Sequence, residues 1–264
     1  MKTSASEALM RPISLLYHGK VRDSVFDRAI GVIARQKQYA VESFTYPLRA
    51  EHRPEKDSLI LVRNSELPTA LIEQEYSVYP GEQVRQRSKN KWMLHNYCLE
   101  HEIPTPDTVR AEDLLEDFVF KRTAGSNNSV VNPFAPADLL AQERIAGQVV
   151  KCYGHIQLGK FIGADELTRK SVDIPDYISA LGRKVLGDFG LVWGGLDWVI
   201  GDQWYLIDVN ATSGFGYASL DDCVRLLSEG LDILFYEEGA RQISRHAAHG
   251  RGFPAFAIDD SARH

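Results

Sequence analysis

Between Phe189 and Asn210 the chain carries the pattern that restricts it most. Two β-runs, residues 196–200 and 204–209, are joined by the turn signal Gly201-Asp202. Alternation along the second run puts Asp208 and Asn210 on one face, with Ile207 and Val209 on the other. Asp197, on the first run, lies across from them if the hairpin closes at the turn. Two carboxylates and an amide oxygen are hard ligands, suited to Mg²⁺ held between protein and substrate phosphates. Taken alone, the same pattern also describes an ordinary half-exposed hairpin with a polar wet face.

A chain of 264 residues is long enough for one large domain or two to three small lobes around a sizeable core. Its formal charge of −6 lacks the basic footprint of a general nucleic-acid binder. No uninterrupted apolar run approaches membrane-span length, so no membrane partner is expected. The segment Met1-Lys2-Thr3-Ser4-Ala5-Ser6-Glu7 lacks the apolar core of a secretory signal. Cys98, Cys152 and Cys223 are odd in number, far apart and without C-x-x-C. Neither a disulfide framework nor a zinc site is expected, and a reducing cytoplasm fits.

Residues 13–17 form a short apolar run closed by His18-Gly19, whose histidine reads as a surface residue or as one facing a ligand. Ser24 can cap a helix presenting Phe26, Ala29, Ile30 and Ile33 on one face. Residues 39–46 and 58–63 read as strands, the second fully apolar, and the order predicts a small α/β lobe with parallel pairing. The basic stretch Arg85-Gln86-Arg87-Ser88-Lys89-Asn90-Lys91 reads as a connection. A helix from about Lys91 to His101 must end before Ile103-Pro104-Thr105-Pro106. The strand Phe118-Val119-Phe120-Lys121 then meets a small-polar loop, Thr123-Ala124-Gly125-Ser126-Asn127-Asn128-Ser129. A lysine before such a loop can hold phosphates with its ammonium and the backbone N–H groups, although a surface turn looks the same. Neither a Walker nor a dinucleotide-binding fingerprint is present. Residues 148–153 read as a strand and 175–189 as a helix packed on the sheet. Ser219 caps a last helix running toward Leu231, with Asp221 and Asp222 set against its dipole. From about Arg241 a loosely packed tail is expected.

The order of these features resembles the ATP-grasp superfamily, most closely its RimK-like branch. Lys91 opens a helix twelve residues before Ile103-Pro104-Thr105-Pro106-Asp107-Thr108, like the family's lysine upstream of G-I-P-x-P-x-T. Lys121 with Gly125-Ser126 is similar to the strand lysine and phosphate-covering loop. Gln142-Glu143-Arg144-Ile145-Ala146-Gly147 resembles the hinge that borders adenine. Gly195-Leu196-Asp197 and Leu206-Ile207-Asp208-Val209-Asn210 resemble the metal-binding hairpin. The chain departs from the family in several places. Asp208 stands where Glu is usual, Arg144 takes an apolar hinge position, and the loop after Lys121 has few glycines. It also departs in that Asn210 lacks the proline that commonly follows it and the span from Val131 to Gln142 is short.

The resemblance implies an α/β ATP-grasp fold behind a small N-terminal α/β domain. Its expected divisions are residues 1–90, a central lobe over 91–143 and a C-terminal lobe over 144–264. The implied cofactors are ATP and Mg²⁺. Lys91, Lys121, Gly125 and Ser126 would hold phosphates, while Glu143 and Ile145 line the adenine and ribose pocket. Asp197, Asp208 and Asn210 would hold the metal, with Asp208 and Arg169 in the catalytic roles. Arg169 and Lys170 lie where relatives place a carboxylate-gripping arginine, although a solvated surface pair reads equally well. The implied reaction joins a carboxylate on a small molecule or peptide to an amine through an acyl phosphate. A hydroxyl-phosphorylating kinase and a nucleotide-binding module without turnover are the alternatives, and a homo-oligomer is compatible with all three.

Overall fold

The computed structural model describes residues 12–20, 23–110, 118–122 and 139–247. Strand β1 (Ile13–His18) is buried except at His18, which is exposed. Helix α1 (Val25–Lys37) begins at a capping box: the Ser24 hydroxyl accepts from the Asp27 amide, and the Asp27 carboxylate accepts from the Ser24 amide. Its buried face is Phe26, Ala29, Ile30, Ile33 and Ala34, four of them the residues singled out by periodicity. Strands β2 (Val41–Tyr46), β3 (Leu59–Val62) and β4 (Ser77–Tyr79) complete a sheet of order β2-β1-β3-β4, parallel throughout. All four residues of β3 are buried, as expected of a parallel strand covered on both faces.

The basic stretch after residue 85 is not a connection. Residues Glu82–Lys89 form helix α2, and Arg85 is fully buried within it. Its guanidinium donates to the carbonyls of Pro80 and Leu67 and to Thr69 Oγ1. The polarity that suggested a solvated linker is consumed by carbonyls of the neighbouring turns. Helix α3 (Lys91–Glu100) follows at once, with Asn90 Oδ1 accepting from the Met93 amide at 3.0 Å.

Two antiparallel sheets come next. Strands β5 (Thr108–Arg110), β6 (Phe118–Arg122) and β7 (Leu139–Glu143) make one, in the order β5-β7-β6. The other holds β8 (Gln148–His155), β9 (Ile162–Asp165), β10 (Ser171–Val172), β11 (Trp193–Ile200) and β12 (Trp204–Asn210), in the order β10-β9-β8-β11-β12. Helix α4 (Asp176–Asp188) covers β8 and β11 with Ile178, Val185 and Leu186. It comes close enough that a Cβ on Gly182 would meet the Phe161 ring at 2.7 Å.

The hairpin closes as its turn signal requires, but simple alternation does not survive. Asp197 pairs with Asp208 and Trp198 with Leu206, so Ile207 bulges out of the ladder. Leu206 and Val209 are therefore the core residues, while Ile207 is half-buried. Helix α5 (Leu220–Ala247) starts at Ser219, whose hydroxyl accepts from the Asp222 amide at 3.1 Å. It runs on past Leu231 to Ala247, so the first residues of the expected tail are helical. Residues up to Gly230 form one compact unit, and a second begins at Leu231. Among the described residues, no helix is long and apolar enough to cross a membrane.

Candidate functional site

Residues in register across a sheet point to the same face. Lys151 of β8, Asp197 of β11 and Asp208 of β12 form one such row, and Tyr153, Gly195 and Asn210 form the next. Lys151 Nζ lies 2.5 Å from Asp197 Oδ2 and 3.0 Å from Glu166 Oε1. From outside the sheet, Lys91 at the start of α3 pairs with Asp208 Oδ1. The row thus reads Glu166, Lys151, Asp197, Asp208, Lys91, with two carboxylates side by side and an ammonium beyond each.

Burial, and after it the charge of Asp208, push the Asp197 carboxyl up to about 6, against the pull of Lys151 and Lys91. Burial opposes the charge on Lys151, yet Asp197 and Glu166 outweigh it and hold the ammonium above its ordinary value. A carboxyl held back from ionising by burial and a neighbouring carboxylate favours a cation beside it.

The reach of Lys91 follows from how the chain leaves α3. Pro104 and Pro106 forbid further helix, and the freed segment lies along β12. There the Leu206 amide donates to the Pro104 carbonyl at 2.8 Å, and Thr105 Oγ1 donates to the Leu206 carbonyl at 3.1 Å. Asp208 lies two residues farther along that strand. Asn210, at its end, is exposed, and its side-chain oxygen accepts from the Thr212 amide at 3.1 Å.

The other expected site residues are more dispersed. Glu143 ends β7, exposed, with its carboxylate 3.4 Å from the Asp107 amide. Ile145, in the β7–β8 connection, packs over the hairpin turn, where a Cβ on Gly201 would meet its Cγ2 at 2.9 Å. Lys121 lies on β6 opposite Leu140, and Gly125 and Ser126 fall outside the described residues. Arg169 is exposed in the β9–β10 turn with φ 58°, its guanidinium 5.0 Å from the centre of the Tyr217 ring. Arg169 is thus set against Tyr217 in this structure. Lys151 and Glu166 were not singled out from the sequence. Their one signal there is a lysine inside an otherwise apolar run, Val149-Val150-Lys151-Cys152-Tyr153.

The donor set fits a metal that arrives with other ligands. Mg²⁺ takes six oxygens, and Asp197, Asp208 and Asn210 offer carboxylate and amide oxygens on adjacent positions of one face. Among the described residues no group of three His, Cys, Asp or Glu assembles. Three residues fill only part of an octahedral shell, and phosphate oxygens would complete it.

No family model and no curated protein matches the sequence. Solved structures do. The chain is similar to a RimK-domain ATP-grasp protein from Sphaerobacter thermophilus at 14% identity, covering 83% of this chain and 98% of that one with a TM-score of 0.62. A RiPP-associated ATP-grasp ligase from Chryseobacterium gregarium, solved with ADP and a leader and core peptide, matches at 13% identity. That match covers 83% of this chain and 96% of the other, with a TM-score of 0.62. D-alanine–D-alanine ligase from Bacillus anthracis, solved with ATP, matches at 13% identity over 87% of this chain and all of the other, with a TM-score of 0.57. At such identities the likeness defines the fold. The chain has the ATP-grasp fold.

Proposed function

We propose that the chain is an ATP-dependent carboxylate–amine ligase. The observation that carries the reading is the row Lys151, Asp197, Asp208, Lys91 on the face of the β8–β11–β12 sheet in an ATP-grasp fold. The lobes over residues 91–143 and 144–264 would enclose the nucleotide. Lys91 and Lys121 neutralise its phosphates, while Gly125 and Ser126 cover them. Glu143 and the Ile145 backbone border the adenine and ribose. Lys151 would pair with the transferred phosphoryl group in place of Asp197, and Asp197, Asp208 and Asn210 would hold Mg²⁺, which would supply positive charge to the phosphates. ATP supplies the γ-phosphoryl group that makes an acceptor carboxylate a good acyl donor, and an amine then displaces phosphate to leave an amide. The residues contribute position and charge, the two terms that dominate phosphoryl transfer, and no protein nucleophile is required. Arg169 grips the acceptor carboxylate.

The ATP-grasp neighbours solved with ATP, or with ADP and a peptide, support a nucleotide and a carboxylate-bearing acceptor. Incubation with ATP, Mg²⁺ and pooled carboxylates and amines tests the reading, with ADP and product masses followed together. ADP with an amide product supports it. A phosphorylated alcohol would instead make the chain a kinase, and absence of nucleotide conversion with every acceptor would make it a binding module.

A further inference from the structure

We infer that Arg63 is a positioning residue for the metal hairpin, an inference that rests on the nucleotide reading above. Arg63 directly follows β3, at the C-terminal edge of the parallel sheet, yet its side chain is only 6% exposed. Its Nε lies 3.3 Å from Asp27 Oδ1, and its guanidinium carbon sits 3.6 Å from the centre of the Phe26 ring. Asp27 is itself tightly held. Its Oδ1 accepts from the Tyr17 hydroxyl at 2.8 Å, and its Oδ2 accepts from the Ser24 amide at 2.9 Å and hydroxyl at 2.7 Å. Residues from β1, α1 and the end of β3 thus fix the guanidinium in one orientation, with its Nη1 donating to the Ser213 carbonyl at 3.5 Å.

That carbonyl belongs to the segment 211–216, where the chain leaves Asn210. Beside it the Phe26 amide, in the first turn of α1, donates to the Gly214 carbonyl at 3.3 Å. Phe215 adopts φ 55°, a left-handed conformation that a bulky residue keeps only where its surroundings enforce it. Here the surroundings are the Phe26 ring at 6.0 Å, the Tyr153 ring at 5.0 Å, and Ser213 Oγ, which accepts from the Phe215 amide at 3.3 Å. The same Ser213 hydroxyl is what a Cβ on Gly195 would meet at 3.1 Å, and Gly195 is the register partner of Asn210. Ser213 therefore accepts from Arg63 at its carbonyl and lies, with its hydroxyl, against the strand position opposite Asn210. Loss of the guanidinium removes one support of a strained segment, and Asn210, tied by its side chain to Thr212 within that segment, loses its set position.

A role confined to stability would lower the melting temperature and nothing else. A positioning role changes how much Mg²⁺ strengthens nucleotide binding. The full chain is titrated calorimetrically with AMPPNP, with and without Mg²⁺, as the parent, Arg63→Gln and Arg63→Lys, with thermal unfolding followed in parallel. AMPPNP alone should bind all three alike. The gain in affinity from Mg²⁺ should shrink by about tenfold in Arg63→Gln, as for one lost charge-assisted contact, and return in part in Arg63→Lys, which keeps the cation beside Asp27. If Arg63→Gln does not fold, Phe26→Leu, which removes the ring beneath the guanidinium, takes its place in the comparison. A folded variant that keeps the parent's full Mg²⁺ gain overturns the inference. A parent with no Mg²⁺-dependent binding overturns the nucleotide reading itself, a result distinct from any seen only in the variants.

Discussion

Lys91 and Asp208, 117 residues apart in sequence, form an ion pair with only 8% of the lysine side chain and 23% of the aspartate's exposed. The pair couples the first residue of α3 to the strand of the candidate metal hairpin. On the proposed reading, a lysine on Asp208 stands where a divalent ion would stand. Nucleotide phosphates would draw the ammonium away and open the carboxylate to the metal in the same event.

Lys91→Ala and Lys121→Ala should each weaken ATP binding while leaving the fold intact. A lost charge-assisted contact is worth roughly 1.5–3 kcal/mol, or about ten- to a hundredfold in affinity. Calorimetry with a non-hydrolysable ATP analogue measures it. Unchanged affinity in both variants would place the phosphates elsewhere.

Asp208→Asn keeps the shape and removes the charge, so turnover should be lost while nucleotide binding weakens much less. The lysines and the adenine border remain, but the developing charge has lost its counter-ion. Asp208→Glu asks whether the shorter carboxylate is tuned to this site. Near-parent turnover in Asp208→Asn would show that the active site lies away from this hairpin.

The Asp197 carboxyl, raised from 3.8 to about 6, gives a signed pH effect on stability. The folded protein holds this proton more tightly than the unfolded chain does. The group's stabilising contribution is therefore full below pH 3.8 and is lost as pH rises to about 6. The loss is on the order of 3 kcal/mol for a shift of this size. Asp197→Asn has no such titration, so its stability relative to the parent should improve between pH 4 and 7. Urea unfolding at both pH values checks this, and a difference independent of pH would count against the raised carboxyl.

Once an acceptor is known, Arg169→Ala should raise the acceptor KM far more than the ATP KM. The motive is its place in the β9–β10 turn, with its guanidinium against the Tyr217 ring. Initial-rate measurements in both substrates separate the two constants. If neither moves, Arg169 belongs to the surface.

Much of the fold was legible because its signals are local. Ser24 ahead of an apolar-periodic run marks a helix cap, Pro104 and Pro106 stop a helix, and Gly201-Asp202 marks a tight turn, whatever the rest of the chain does. Arg85 shows where that reading fails. A basic residue in a polar run looks solvated until the carbonyls of Leu67 and Pro80 are brought around it.

The amino-acid sequence by itself determined the small parallel lobe's first strands and helix, the longer helices, the closure of the hairpin and the presence of carboxylates on it, since periodicity, caps and turn residues act over a few positions. Only the tertiary structure decided that Ile207 bulges, that Lys151 stands beside Asp197, and that Arg63 holds the exit from Asn210. Those relations depend on the register between strands distant in sequence and on which buried charge finds which partner. Such pairings are settled by the packing of whole sheets rather than by local preference.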